Sequence, residues 1–153
     1  MAYDSFFKTM AHIERVRDLL MEMIVPRAYN HDSSKLDTPE KEYFDEYIPK
    51  LDNTTYGSDE YYDCLKGMKV ALDHHYKYNR HHPEHFVDGM QGMNLIDMIE
   101  MLADWKAASE RGDTSFYQSL IVNRDRYNIS PEMFDLIYRT AVYMQWIVEE
   151  HDA

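Results

Sequence analysis

The chain has 153 residues, of which 44% are hydrophobic, and its formal net charge is −12. This length and composition predict one folded domain over residues 1–153, because they can supply a hydrophobic core and are unlike those of disordered chains. The acidic balance argues against long nucleic acids as partners, since proteins that bind them present basic surfaces. The single cysteine, Cys64, excludes an intramolecular disulfide framework and a cysteine-based zinc knuckle.

The N-terminal residues MAYDSFFKTMAH lack the basic region and apolar core that are typical of a secretory signal. No apolar run approaches the length of a membrane span. We therefore expect a cytoplasmic protein that does not act in a membrane. A homo-oligomer stays open, because helical faces rich in Tyr and Met, such as the one around Tyr138 and Met144, can form either a core or a dimer surface.

Apolar residues at spacings of three and four predict a first helix over residues 5–25, ended or kinked by Pro26. The stripe that we expect to face the core consists of Phe6, Met10, Ile13, Val16, Leu20, Met23 and Ile24. The TPE sequence at residues 38–40 predicts a second helix, which runs to about Ile48.

Ser58 or Asp59 can cap a third helix that runs to about Asn79. A fourth helix is predicted from near Asn94 to about Glu110, and a short one starts at Ser115. The last helix begins at the SPE sequence of residues 130–132, with an apolar stripe formed by Phe134, Ile137, Tyr138, Ala141, Met144 and Val148. With no convincing strand, the pattern predicts an all-α single domain, a compact bundle of about five to seven helices.

The candidate functional residues of the sequence are histidines and acidic residues. The stretch HHYKYNRHHPEH, residues 74–85, holds five of the eight histidines. His75 continues the apolar stripe of its helix, so at least one of these imidazoles should face inward. The choice of ligands stays open among His74, His75, His81, His82 and His85.

Two further groups of residues lie outside that stretch. His31 and Asp32 are adjacent and can turn toward one cation at a helix start, although such a pair more often caps a turn. The carboxylates of Asp97, Glu100 and Asp104 share one helix face, where they would repel each other unless solvated or neutralised.

Several inward-facing imidazoles and carboxylates are costly to bury unless they are paired or bind a metal. Mixed imidazole and carboxylate ligands suit one or two divalent transition metals, Mn, Fe, Co, Ni or Zn, with Mg less suited. The rival di-iron bundle needs Glu-x-x-His and a zincin needs His-Glu-x-x-His, and the sequence has neither.

The order of these residues resembles the HD-domain superfamily of metal-dependent phosphohydrolases. The segments that carry the resemblance are AHIERV, HDSSK, HHYKYNRHH and EMLADW. The segments HDSSKL, NRHHPEH and IEMLADW are also similar to those of a small uncharacterised HD-like family of bacteria and their phages. This likeness spans roughly residues 10–106, and it implies an HD-like bundle, which a phage could encode in a bacterial host.

The resemblance implies a role for each matching position. The primary metal ligands would be His12, His31, Asp32 and Asp104, and His75 and His82 would be candidates for a second metal. Asp32 would bridge metals or orient water, and Lys35 would contact a substrate phosphate, as His81 and His85 also could. Asp97 or Glu100 would orient a ligating histidine or act as a general base.

The implied reaction is hydrolysis of a small phosphate ester, with a nucleotide as the natural substrate. Tyr76, Tyr78 and Trp105 are available to stack a base, although such aromatic residues are more often core or rim. The alternative from another class is a non-catalytic acidic interaction protein, which would bind a basic partner or mimic nucleic acid around a structural metal.

Overall fold

The structure is a computed structural model that describes residues 5–55, 58–111 and 114–147. These residues contain seven α-helices and no strand, which confirms the predicted all-α fold. The helices are α1 (Phe6–Asn30), α2 (Glu40–Leu51), α3 (Asp59–Gly67), α4 (Lys69–Tyr78), α5 (Leu95–Ser109), α6 (Phe116–Arg126) and α7 (Pro131–Tyr143). None of the described helices has the length and apolar character that crossing a membrane requires.

Four helices begin at side chains that the sequence marks as caps. Ser58, Asn94, Ser115 and Ser130 each accept a hydrogen bond from a backbone N–H in the first turn of the helix that follows. These caps satisfy N–H groups that have no partner within the helix. These four predicted helix starts are therefore confirmed. Val148 of the last predicted stripe lies outside the described residues.

Two predicted helix ends are wrong. Helix α1 passes through Pro26 and ends at Asn30, whose side-chain Nδ2 donates a 2.8 Å hydrogen bond to the Pro26 carbonyl. The predicted helix from Ser58 to Asn79 is divided into α3 and α4, next to Gly67. A Cβ atom at Gly67 would overlap the ring of Tyr47 on α2, so any larger residue would force that ring to move.

The apolar core lies between α5, α6 and α7. It comprises Met90, Met101, Leu102, Trp105, Phe116, Leu120, Ile129, Ile137 and Ala141. Helix α5 contributes to this core with one face, and its opposite face carries the acidic residues Asp97, Glu100 and Asp104. That acidic face packs against the C-terminal part of α1, where it meets the histidines.

Helix α1 does not bury its apolar stripe, contrary to the prediction. None of its residues is buried; Phe6, Ile13 and Leu20 are each more than half exposed. Its side chains become partly buried near the C-terminal end, where α1 contacts α5. The apolar stripe of α1 is therefore in contact with solvent. Only the C-terminal end of α1 brings side chains next to α5.

Candidate metal centre

The imidazoles and carboxylates converge where the end of α1, the C-terminal half of α4, the loop that follows it, and α5 meet. The residues with ligand atoms close to one another are His31, Asp32, His75, His81, His82, Glu100 and Asp104. The 3₁₀ turn Ser33–Leu36 directly follows Asp32 and brings Lys35 to the same place. Five of these residues had been predicted as metal ligands: His31, Asp32, His75, His82 and Asp104.

Asp32 occupies the middle of this cluster. Its backbone φ is 52°, in the left-handed region that Asp tolerates better than most residues. Its Oδ1 atom lies 3.2 Å from His75 Nε2 and 3.3 Å from His81 Nε2. Its Oδ2 atom lies 3.6 Å from His31 Nε2 and accepts a 2.6 Å hydrogen bond from Lys35 Nζ. The two carboxylate oxygens thus face two different sets of ligands.

The first set consists of Asp32, His75, His81 and His82, whose ligand atoms all lie within 4.8 Å of one another. The Nε2 atoms of His75 and His82 are 2.9 Å apart. A tetrahedron with metal–ligand bonds of about 2.1 Å has edges of about 3.4 Å. The observed spacings of 2.9, 3.2 and 3.3 Å are close to those edges, so this set fits a four-coordinate cation.

The second set consists of His31, Asp32 and Asp104. The Nε2 atom of His31 lies 3.6 Å from Asp32 Oδ2 and 3.6 Å from Asp104 Oδ1. Three ligands leave coordination positions open, as in catalytic metal sites. Because Asp32 belongs to both sets, it could bridge two cations.

Two further carboxylates hold the imidazoles in orientation. Glu40, at the start of α2 and fully buried, accepts hydrogen bonds from His75 Nδ1 (2.8 Å) and His74 Nδ1 (2.7 Å). Glu100 Oε1 accepts one from His31 Nδ1 (3.0 Å). A proton held on Nδ1 leaves the Nε2 lone pair of each ring free to bind a metal, which is the carboxylate–histidine–metal arrangement.

Three buried atoms at the centre lack a hydrogen-bond partner among the described residues. They are Asp32 Oδ1, His81 Nδ1 and His81 Nε2. The His81 nitrogens lie 3.0 Å from Glu100 Oε1 and 3.3 Å from Asp32 Oδ1, but without the angles that a hydrogen bond needs. Unpaired buried polar atoms are costly, and a cation would satisfy the lone pairs of Asp32 Oδ1 and His81 Nε2. The residues present therefore fit a metal ion.

Electrostatics at the centre favour a bound positive charge. Contacts with Asp104 and Glu100 raise the pKa of His31 to about 10, against the effect of burial. Burial lowers the pKa of His81, but the carboxylates of Asp32 and Glu100 raise it by more. Burial and the neighbouring imidazoles lower the pKa of His82 to about 3, which keeps this ring neutral and able to ligate. Without a cation, the proton retained by His31 offsets part of the carboxylate charge.

A family model described as a family of unknown function, DUF5662, matches residues 1–143. The chain belongs to DUF5662. The matched residues include all seven described helices. Comparison with curated proteins and with solved structures found no match for the chain.

His12 of this DUF5662 protein does not reach the centre, so its prediction as a ligand there is wrong. It is exposed on α1 and precedes His31 by nineteen residues. Because α1 is one continuous helix to Asn30, the rise of about 1.5 Å per residue places His12 about 28 Å from His31. Imidazoles from the loop after α4 complete the cluster instead.

Asp97 lies behind the centre and stabilises the fold, a position that fits neither of the two roles predicted for it, orienting a ligating histidine or acting as a general base. Its carboxylate is fully buried and accepts hydrogen bonds from Arg27, Arg80 and the Asn94 backbone N–H. Arg27 also donates to Glu100, so it connects Asp97 to the cluster. Glu100 itself orients His31, which is one of the two roles predicted for it.

The other predicted residues divide between the cluster and the surrounding structure. His81, predicted to contact phosphate, lies among the metal-facing imidazoles. The structure does not bring His74 or His85 into the cluster. His74 Nδ1 donates to Glu40, and His85 Nδ1 donates to the Tyr76 carbonyl. Trp105 is buried and stacks on Tyr127, which removes it as a base-stacking residue.

Sequence reasoning missed Glu40 and the two arginines that bind Asp97. The TPE sequence marks Glu40 only as a residue of a first helical turn, and its histidine partners lie 34 and 35 residues away. Arg27 lies 70 residues from Asp97. Local sequence patterns do not predict contacts between residues so far apart in the chain.

The substitution Glu40→Gln is expected to weaken metal binding by about 10- to 100-fold, the range for losing a carboxylate that orients a ligating histidine. The neutral amide attracts the protonated Nδ1 of His75 less strongly than the carboxylate does, so the ring is held less firmly. Calorimetric titration with Mn²⁺ or Zn²⁺ measures the change. Glu46→Gln, an exposed position on the same helix paired with Lys50, is the matched control and should bind metal as the unmodified protein does. Equal affinities for both variants would contradict the role of Glu40.

Proposed function

We propose that this protein is a metal-dependent phosphohydrolase that cleaves a small phosphate ester with one or two divalent cations. The observation that carries the proposal is the position of Asp32, with each carboxylate oxygen facing a separate set of ligand atoms. The reaction class comes from the resemblance of His31-Asp32-x-x-Lys35, and of the residues around Asp104, to the HD-domain superfamily.

The ligand set would hold divalent transition metals, because it mixes imidazoles with carboxylates and contains no cysteine. Such cations supply a nucleophile at neutral pH and neutralise negative charge on phosphate oxygens. His75, His81 and His82 would hold one cation with Asp32, and His31 and Asp104 would hold the other.

Lys35 is the residue best placed to bind the phosphate. Its side chain is 41% exposed, and its Nζ atom lies 2.6 Å from Asp32 Oδ2, so the ammonium group stands beside the centre and in contact with solvent. A Lys ammonium binds phosphate oxygens as a point charge. Glu100 keeps His31 oriented while the substrate binds.

The test combines metal analysis with a substrate panel. We expect the purified protein to retain about one or two equivalents of a transition metal, and to release phosphate or p-nitrophenol from mono- or diesters with Mn²⁺, Co²⁺, Ni²⁺ or Mg²⁺. Removal of the metal by a chelator should lower the melting temperature, because at 100 times its dissociation constant a ligand stabilises the fold by about 2.7 kcal/mol. A protein that binds no metal and hydrolyses none of these esters would refute the proposal.

The second candidate is a non-catalytic interaction protein with a structural metal. It is supported by the exposed apolar stripe of α1 and by the net charge of −12. Under it, the metal would be retained and would stabilise the fold, but no ester would be hydrolysed. The same panel therefore separates the two functions.

A further inference from the structure

An apolar groove adjoins the centre between α1 and α5. Its volume is about 300 Å³. It is lined by the aliphatic side chains of Ile24, Ala28, Ile96, Ile99, Ala103 and Ala107. At one end it is bounded by His31, Glu100 and Asp104, which belong to the ligand cluster. A molecule held at the second ligand set could therefore extend directly into the groove.

The polar residues that line the groove are already paired with one another. Besides the three cluster residues, its only polar lining residue is Arg27, which is committed to Asp97 and Glu100. Burying sugar hydroxyls or the edge of a base without hydrogen bonds costs free energy. No Phe, Tyr or Trp lines the groove, and the ring of His31 is already held by Glu100 and packed against His81. This lining suits a hydrocarbon group and does not suit a nucleoside.

We propose that the substrate is a phosphate ester of an apolar alcohol, whose hydrocarbon group occupies this groove while the phosphate meets the centre. The proposal rests on the proposed function and specifies its substrate class. At about 30 Å³ per water-sized group, the groove accommodates on the order of ten non-hydrogen atoms. That is the size of an octyl chain or a naphthyl ring.

The reaction follows from this placement. The oxygen of a water molecule forms a bond to phosphorus, and the bond between phosphorus and the ester oxygen breaks. A proton from the water passes to the ester oxygen, which leaves as the apolar alcohol, and phosphate or a phosphomonoester remains. No oxidant, reductant or other co-reactant is consumed.

The experiment uses ethyl, butyl, hexyl and octyl phosphates, as monoesters and as methyl diesters, with AMP for comparison. We expect kcat/KM to rise by about two- to fourfold for each methylene that the groove buries, and octyl phosphate to exceed AMP. Ile99→Asn and Ala107→Phe should each reduce the octyl-to-ethyl ratio by about tenfold, the first by polarity and the second by filling the groove. The metal content of both variants should equal that of the unmodified protein.

Leu136→Asn is the matched control, because Leu136 on α7 is 46% exposed, close to the 42% of Ile99, and lies outside the groove. It should leave the octyl-to-ethyl ratio unchanged. Hydrolysis without dependence on chain length, or with AMP preferred, would overturn the groove proposal while the phosphohydrolase stands.

Binding of alkylphosphonates, measured by calorimetry, keeps the inference testable if no ester is hydrolysed. Affinity that grows with chain length and falls in Ile99→Asn would support the groove as an apolar binding site even though the proposed function had failed. A flat series would overturn both. A change in sedimentation of Ile99→Asn, with unchanged phosphonate affinity, would show a contact between protein chains and also overturn the proposal.

Discussion

Asp32→Asn is expected to abolish metal binding at both ligand sets and to reduce kcat/KM for phosphate esters by more than about 100-fold. Loss of a carboxylate that merely orients a ligand already costs about 10- to 100-fold, and Asp32 would lose its charge and one ligand oxygen. The amide nitrogen would also present N–H groups to imidazole nitrogens that lie 3.2 and 3.3 Å from Asp32 Oδ1.

The substitution is informative because asparagine preserves the backbone. Asn adopts the left-handed region readily, so the φ of 52° at this position is not a source of strain. Circular dichroism should therefore show the helix content of the unmodified protein, while mass spectrometry shows less bound metal. Loss of folding would point to a structural Asp32, and full activity with normal metal content would contradict the centre.

Asp45→Asn provides the control for this experiment. Asp45 is an exposed carboxylate on α2, paired with Lys41 at its surface. Exposed pairs of this kind contribute little to stability, and this one lies outside the ligand sets. We expect unchanged metal content and unchanged hydrolysis. A parallel loss in both variants would indicate a general effect of charge and not a site.

The helices were predictable because their signals are local. Ser58, Asn94, Ser115 and Ser130 cap helices through bonds to residues two or three positions ahead, so sequence spacing contains the information. Helix ends were less predictable. Pro26 was expected to end or kink α1 near residue 25, but a proline removes only one backbone N–H, and the helix continues for four residues beyond it.

The cluster was predictable in its residue types and only partly in its membership. His31, Asp32, His75, His82 and Asp104 were proposed as ligands together, from their order along the chain. His12 was included because the resemblance to the HD-domain superfamily implied a ligand on the first helix, but no residue of that helix is buried against the fold. Which helix faces become buried depends on tertiary packing, which periodicity alone does not report.

His81 shows the same limit within the histidine stretch. A helix that continued beyond Asn79 would bring only His82, seven residues on, to the face of His75. The structure instead ends α4 at Tyr78, and Asn79 adopts an extended backbone conformation. The chain then turns so that His81 and His82 both contact the cluster, with ring centroids 4.1 Å apart. A loop can thus present two adjacent imidazoles to one site, which a helix face cannot do.

Asp97→Ala is expected to lower the free energy of unfolding by about 3 kcal/mol. Removing one partner of a buried ion pair costs about 3–5 kcal/mol, and the lower end applies because the side chains of Arg27 and Arg80 are 26% and 43% exposed and can be partly hydrated. The substitution also removes the carboxylate that closes the capping box of α5. Urea unfolding of the metal-free protein measures the change.

The comparison with Asp63→Ala separates burial from charge. Asp63 pairs with Lys66 at the surface and is 74% exposed, so its loss should cost less than about 1 kcal/mol. Because Arg27 binds both Asp97 and Glu100, Asp97→Ala should also loosen Glu100, and through it His31. We expect metal affinity to fall by about 10-fold, much less than for Asp32→Asn. Equal stability of the two alanine variants would contradict the anchoring role of Asp97, whereas a loss of metal as complete as in Asp32→Asn would make Asp97 part of the centre itself.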